Sequence, residues 1–240
     1  MTSSNPKEGV SIITSTIRKS FIHNLFQNYN RQQWPVKELI IIVNKNNIKL
    51  HSYRKLAARY NQVRIYRMDE SYNLGACLNY GASLAKYDYI AKFDDDDYYS
   101  PYYLEEAMAL FTAKDADVVG KRTTYFYFPH RSKLLLRRAS IKAGCPSTII
   151  AGPTIMFHKR IFKKVSFSPN IQQGSDVHFI KSCLRKGARI YTTTSYNFVS
   201  IRRANRYSHT WKISDKQLLS HRRAVVIDTK DYKSFITKPI

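Results

Sequence analysis

The sequence predicts an α/β protein with one mostly parallel central sheet flanked by helices in a single domain, and three observations carry that prediction. Short apolar runs alternate with helix-period segments from Val10 to about Phe111, the rhythm of βαβ units. One run, Leu39-Ile-Ile-Ile-Val43, has no polar face, as expected of a strand covered by helices on both sides. Another, Tyr89-Ile-Ala-Lys-Phe93, ends directly in four consecutive aspartates, Asp94 to Asp97. In open α/β sheets the rim beyond the strand ends is where ligands bind.

The elements follow in order. Val10-Ser-Ile-Ile13 reads as a short buried strand, and Ile17, Phe21, Ile22, Leu25, Phe26 and Tyr29 recur at helical spacing. Trp34-Pro35 ends that helix before the strand at Leu39–Val43. A helix around residues 53–60 leads to a strand at Val63–Met68, and Leu74, Leu78, Ala82 and Ala85 mark a helix ending near Lys86. After the strand at Tyr89–Phe93, Pro101 suits the first turn of a helix reaching about Phe111. The second half is less regular. Val118-Val119, Thr123–Phe128 and Thr154–His158 read as strands, and residues 176–184 as a helix stopped by Gly187. Lys133–Lys142 is basic and poorly periodic and reads as a loop or surface helix. A short helix beyond Trp211 and then a polar tail complete the expectation.

The 240 residues suit one domain, and 43% hydrophobic content supplies a core. The formal charge of +23 is uneven: residues 1–120 carry 15 Lys/Arg against 13 Asp/Glu, whereas residues 121–240 carry the other 25 against 4 acids. The second half is therefore expected to face something anionic. Its only acids are Asp176, Asp215, Asp228 and Asp231. Cys77, Cys145 and Cys183 are odd in number and without close spacing, which argues against a disulfide framework or zinc site and for a reducing compartment. The polar start Met1–Gly9 does not read as a signal peptide, and no apolar run reaches a membrane span. A cytoplasmic protein is expected, with peripheral contact at the inner membrane surface as an accompanying expectation.

Aspartates packed at a strand exit repel one another unless a cation sits among them, and oxygen donors suit magnesium, manganese or calcium. The structural alternative is a solvated acidic loop.

Four segments together resemble the family 2 glycosyltransferases of GT-A (Rossmann-like) fold over about Val10 to Trp211. They are Val10-Ser-Ile-Ile-Thr14-Ser15-Thr16, Asn73-Leu-Gly75 with Asn79-Tyr-Gly81, Phe93-Asp94-Asp95-Asp96-Asp97 with Pro101 and Leu104 beyond, and Gly174-Ser-Asp176 before an amphipathic helix. The chain departs from the family at Asn44, where an acid is common, at Leu78, where many relatives carry arginine, and at Ser175, which replaces a glutamate.

The resemblance implies an inverting transferase that moves a sugar from a nucleoside-diphosphate sugar, UDP- or dTDP-linked, to an acceptor hydroxyl, for a bacterial-type surface polysaccharide or glycoconjugate. It implies a manganese or magnesium ion on Asp96 and Asp94, with His209 as a further ligand, and Asp176 as general base. Thr14, Ser15, Thr16, Asn44, Asn73, Asp94, Asp95 and Arg203 are then the nucleotide-sugar contacts, with Arg202 and Arg206 also in reach of the diphosphate. Each has a structural alternative: Asp176 and Asn73 can cap helices, Asn79 can pack its own, Thr14 and Thr16 can shape a turn, and His209 can be a structural histidine. On this reading residues 1–120 form the nucleotide-sugar half, 121–211 the acceptor half and 212–240 a C-terminal helix and tail. The acceptor is expected to be an anionic glycan or lipid-linked molecule rather than nucleic acid. A basic nucleic-acid-binding protein lacks support from any helix-turn-helix, zinc-finger or RNA-recognition signature. A nucleotidyltransferase would carry a glycine-rich loop where Thr14–Lys19 has none, and a dehalogenase-type phosphatase would carry Thr or Val where Tyr98-Tyr99 follows.

Overall fold

The computed structural model describes residues 8–240, apart from the Arg206 side chain. Most of the N-terminal segment read as lacking a signal peptide, and the Arg206 contact, lie outside the described residues. The elements in chain order are β1 (Val10–Thr16), α1 (Ile22–Asn30), β2 (Lys37–Val43), α2 (His51–Ala57), β3 (Val63–Arg67), α3 (Leu74–Ser83), β4 (Tyr89–Lys92) and β5 (Tyr98–Tyr99). Then come α4 (Tyr103–Lys114), β6 (Val118–Gly120), β7 (Thr124–Phe128), β8 (Lys133–Arg137), β9 (Met156–His158), α5 (Lys159–Phe162), α6 (Ser175–Arg185), β10 (Ile190–Thr192), β11 (Phe198–Ile201), α7 (Asp215–Leu219), β12 (Ala224–Asp228) and α8 (Tyr232–Ile236).

The central sheet has seven strands in the order β10-β6-β9-β4-β1-β2-β3. Its β4-β1-β2-β3 portion is parallel throughout, and β9 runs antiparallel between β4 and β6. Helix α1 buries Ile22, Leu25, Phe26 and Tyr29 on one side of the sheet. Helix α3 buries Cys77, Leu78 and Ala82 with Ile13, Ile40 and Ile42 on the other. Because β1 is followed in space by β2 on one edge and β4 on the other, the strand order reverses between β1 and β4. The carboxyl ends of those two strands flank the crevice such a reversal opens.

A second sheet, ordered β12-β8-β7-β11-β5, joins the expected strand at β7 to β8, read as loop or surface helix, and to β12, read as tail. Lys133–Arg137 is a strand because its consecutive leucines serve opposite faces: Leu134 packs with Tyr98, Tyr127 and Ile236, and Leu135 with Phe126, Phe128 and Leu218. That alternation is a period of two, which has no helical repeat. Ser132, in the left-handed region at φ 49°, closes the hairpin from β7. The last residues are anchored rather than trailing: Leu218 and Ile236 are buried, and Asn197 N donates to Ile236 O at 2.6 Å. The strand expected at Thr154–His158 begins only at Met156, after a 3-10 turn at Gly152–Thr154 containing Pro153. Among the described residues no helix is long and apolar enough to cross a membrane.

Candidate active site

The aspartate run leaves β4 at the crevice and turns into β5, which carries the chain into the second sheet. Its side chains alternate. Asp95 and Asp97 are buried at 3% and 6% exposure, while the side chains of Asp94 and Asp96 keep 33% and 14%. The backbone of the turn is clamped by α1: Asn24 Nδ2 donates to Asp95 O (2.8 Å) and Asp97 O (2.9 Å), and Asn28 Nδ2 to Asp97 O (2.9 Å). Asp97 accepts from Ile201 N at 3.0 Å and Ser200 Oγ at 3.2 Å, tying the turn to β11. Burial, with Asp96 and Asp94 nearby, pushes the Asp97 carboxyl well above its ordinary range. Tyr99 stacks on Phe93 at 3.7 Å; its hydroxyl accepts from Asp94 N (2.8 Å) and donates to Pro153 O (2.7 Å). That hydroxyl joins the acidic turn to the Gly152–Thr154 turn.

Three cations meet these carboxylates, and the sequence reading identified only Arg203. Lys92, 1% exposed, places Nζ 2.5 Å from Asp94 Oδ1, 3.4 Å from Asp176 Oδ2 and 3.3 Å from Gly152 O. Burial alone would lower its ammonium, but Asp176 and Asp94 outweigh it and hold it above the ordinary lysine range. Arg18 pairs with Asp95 and reaches Asp96 at 3.1 Å. Arg203 reaches Asp96 at 2.7 Å, and both guanidiniums lie over the Phe21 ring, at 4.7 and 4.9 Å.

Asp176 lies in the first turn of α6 but does not cap it, so the capping alternative fails: the N-cap is Gly174, at φ 80°. Its Oδ1 is buried and takes no hydrogen bond, while Oδ2 faces Lys92. A buried carboxylate oxygen without a partner is costly and leaves an acceptor for an incoming hydroxyl. Gly152 makes room for it, since a Cβ there would stand 2.2 Å from Asp176 Oδ2. Gly152→Ala is therefore expected to displace the Asp176 carboxylate. Turnover should fall by roughly 10²-fold, the scale of an ångström-sized misplacement, with nucleotide affinity little changed. Unchanged steady-state kinetics would refute the fit.

Several expected contacts have structural roles. Thr14 Oγ1 donates to Phe93 O (2.6 Å) and Thr16 Oγ1 to Asp95 Oδ2 (2.5 Å), so both buried threonines stitch β1 to the acidic turn. Ser15 sits between them, partly exposed. Asp95, expected at the nucleotide, is held inside by Thr16 and Arg18; burial and Asp96 raise its carboxyl to about 6 against those partners. Asn73 caps α3 through Ala76 N (2.9 Å) and donates to Ile171 O (3.0 Å); Asn79 holds both backbone groups of Phe167. Asn44 is buried and donates to Asp69 O at 2.6 Å. Asp69, supplied by the loop after β3, brings to this rim the acid that Asn44 lacks, and hydrogen bonds from Ser71 and Asn46 hold it down to about 2. Arg202 is buried and anchored on Trp211 O and Ile213 O.

His209, expected as a further metal ligand, contacts Arg203. Its Nε2 accepts from Arg203 N at 3.0 Å and its Nδ1 meets the Arg203 guanidinium at 3.2 Å, so the ring braces Arg203. Burial beside Arg202 and Arg203 lowers it to about 4, which leaves it neutral near pH 7.

Among the described residues no three His, Cys, Asp or Glu side chains form a ready metal cage. Magnesium-type sites shared with a phosphate ligand need only one or two carboxylates, and Asp94 and Asp96 fit that pattern. Four carboxylates, Asp94, Asp95, Asp96 and Asp176, pair with three cations among the described residues. Burial and the charges of Asp176 and Asp96 raise Asp94 even against Lys92. The charge deficit suits an added divalent cation.

Comparison with known proteins places this sheet and its acidic turn in a family of GT-A fold. The family model described as Glycosyl transferase family 2 matches residues 11–171, more than half of the 240, and the chain belongs to that family. No curated protein sequence matches it. Among solved structures it is similar to S. aureus TarS 1-349 in complex with UDP-GlcNAc, with TM-score 0.66 at 16% identity over 82% of this chain and 59% of that one. It is also similar to the mannosyltransferase of Pyrobaculum calidifontis in complex with GDP-Man and Mn2+, with TM-score 0.64 at 14% identity over 82% and 57%. The chain thus spans about three fifths of the length of these structures.

Proposed function

We propose that this chain transfers a sugar from a nucleoside-diphosphate sugar to an acceptor hydroxyl with inversion, Asp176 acting as general base. The observation that carries the reading is Asp176 Oδ1, buried and unpartnered beside the acidic turn. An acceptor hydroxyl donating to that oxygen would lose its proton to it as the new glycosidic bond forms. One base and one attacking hydroxyl, opposite the departing diphosphate, invert the anomeric centre. Lys92 holds the other Asp176 oxygen, and Tyr99 and Gly152 fix the floor beneath it. Asp94 and Asp96 would hold manganese or magnesium, which when bound neutralises charge growing on the leaving diphosphate. Arg18 and Arg203, both on Asp96, border the same space, and their guanidinium forks match phosphate oxygens.

The donor reading draws support from the UDP-GlcNAc and GDP-Man named with the similar structures; a UDP- or dTDP-linked sugar is our choice, with Ser15, Asp69 and the Asn44 rim toward the nucleoside. We assign residues 1–120 to the donor and 121–211 to the acceptor. The basic second half favours an anionic glycan or lipid-linked acceptor on the way to a surface polysaccharide or glycoconjugate, in the cytoplasm or against its membrane surface. Asp96→Asn should abolish manganese-dependent binding of a nucleoside diphosphate by calorimetry while the fold melts normally. Metal-dependent affinity equal to that of the unaltered chain would remove Asp96 from the site.

A further inference from the structure

All four acids of residues 121–240 are engaged with other groups, and Asp228 stands at the opposite end of the edge strand β12 from Ala224. Asp176 faces Lys92, Asp215 pairs with His130 and Arg131, Asp228 pairs with Lys133, and Asp231 caps α8. At that edge Arg138, Arg222 and Arg223 are exposed, and among the described residues none forms an ion pair. With Ser140, Ala224 and Val225 they line an open cleft of about 430 Å³. Arg138 N donates to Arg223 O at 3.1 Å, which fixes the two arginine-bearing segments against each other.

The register connects this cleft to the active site. Ala224 pairs with Arg137 and Arg137 with Thr124; in the next row Tyr125 pairs with Val199 and Val199 with Tyr98, and Tyr98 follows Asp97. The arginines thus stand at the opposite end of the strand rows that begin at the acidic turn. Four strand spacings separate β12 from β5, roughly 19 Å, a distance of several sugar units.

We propose that the Arg138, Arg222 and Arg223 cleft is a subsite for a phosphate or carboxylate group on an extended anionic acceptor chain whose reacting end lies at Asp176. The proposal rests on the transfer reading above. Guanidinium groups without carboxylate partners bind such oxyanions through paired hydrogen bonds. A concave site also admits a chain and not a flat bilayer.

The test compares R138Q/R222Q/R223Q with K55Q/R59Q/K114Q, which removes the same charge from exposed positions of the first half. Calorimetry measures binding of long-chain polyphosphate, polygalacturonate, neutral dextran, phosphatidylglycerol vesicles, and UDP with manganese. The cleft variant should lose about tenfold or more in affinity for a polyanion, ~1.4 kcal/mol. The control variant should lose far less, and UDP binding should be unchanged in both. Loss for polyphosphate alone would identify phosphate, and loss for polygalacturonate alone carboxylate, as the bound group. Equal losses in the two variants, no loss in either, or a loss confined to the vesicles would each overturn the subsite. Failure of the unaltered chain to bind any nucleoside diphosphate would count against the transfer reading, and is measured separately from the polyanion arms.

Discussion

Asp176→Asn is expected to lower turnover by ~10²–10⁴-fold, the usual cost of removing a general base, equivalent to about 3–5 kcal/mol of barrier. The amide is nearly isosteric, so the contact with Gly152 is preserved and the fold should survive. What disappears is the capacity to take the acceptor proton at Oδ1, which is buried and has no other partner. Donor affinity should be almost unaffected, because the diphosphate-side groups Asp94, Asp96, Arg18 and Arg203 are untouched. Calorimetry with the donor beside single-turnover kinetics separates the two quantities. A variant that keeps most of its turnover would leave Asp176 with only a packing role.

Lys92→Met should produce the largest loss of stability. Lys92 is 1% exposed and is the cation shared by Asp94 and Asp176. Removing one partner of a buried ionic group typically costs ~3–5 kcal/mol, because the remaining charges are left uncompensated. For a chain of this size that lowers Tm by roughly 6–20 °C. The sign with pH follows from which state carries the repulsion. Burial with the charges of Asp176 and Asp96 holds the Asp94 carboxyl above its ordinary range even beside Lys92; where Asp94 is ionised the variant suffers fully, and as pH falls and Asp94 protonates the gap to the unaltered chain should narrow. Thermal unfolding at neutral and mildly acidic pH measures both effects. A variant that melts within a degree or two of the parent at neutral pH would mean that the lysine holds nothing together.

The first half of the fold was legible because its signals are local. Leu39–Val43 has no polar face, α1 repeats its apolar residues at helical spacing, and Tyr89–Phe93 runs into the aspartates. The family context and the scarcity of acids around it singled out Asp176, which stands with Asp94 on Lys92. The second sheet was hidden because Leu134 and Leu135 point into two different cores, so neither strand alternation with polar residues nor helical spacing marks them. Lys92 and Arg18 were missed for a related reason. Arg18 meets Asp95 across 77 positions of sequence, and the contact between Lys92 and Asp176 spans a comparable stretch. A lysine inside an otherwise apolar strand, two residues before an acidic run and so on the same face as Asp94, was the available signal. The contact of His209 with Arg203 was not legible in sequence, because it depends on how the segment after β11 folds back.

The most direct test of the central claim is release of nucleoside diphosphate. The purified chain would be incubated with manganese, a panel of UDP-, dTDP- and GDP-linked sugars, and anionic glycan or lipid-linked acceptors. One donor should give acceptor-dependent release that Asp176→Asn and Asp96→Asn both reduce by ~10²-fold or more, with a product anomer opposite to that of the donor. Retention of the anomeric configuration, or release undiminished in Asp176→Asn, would contradict the account.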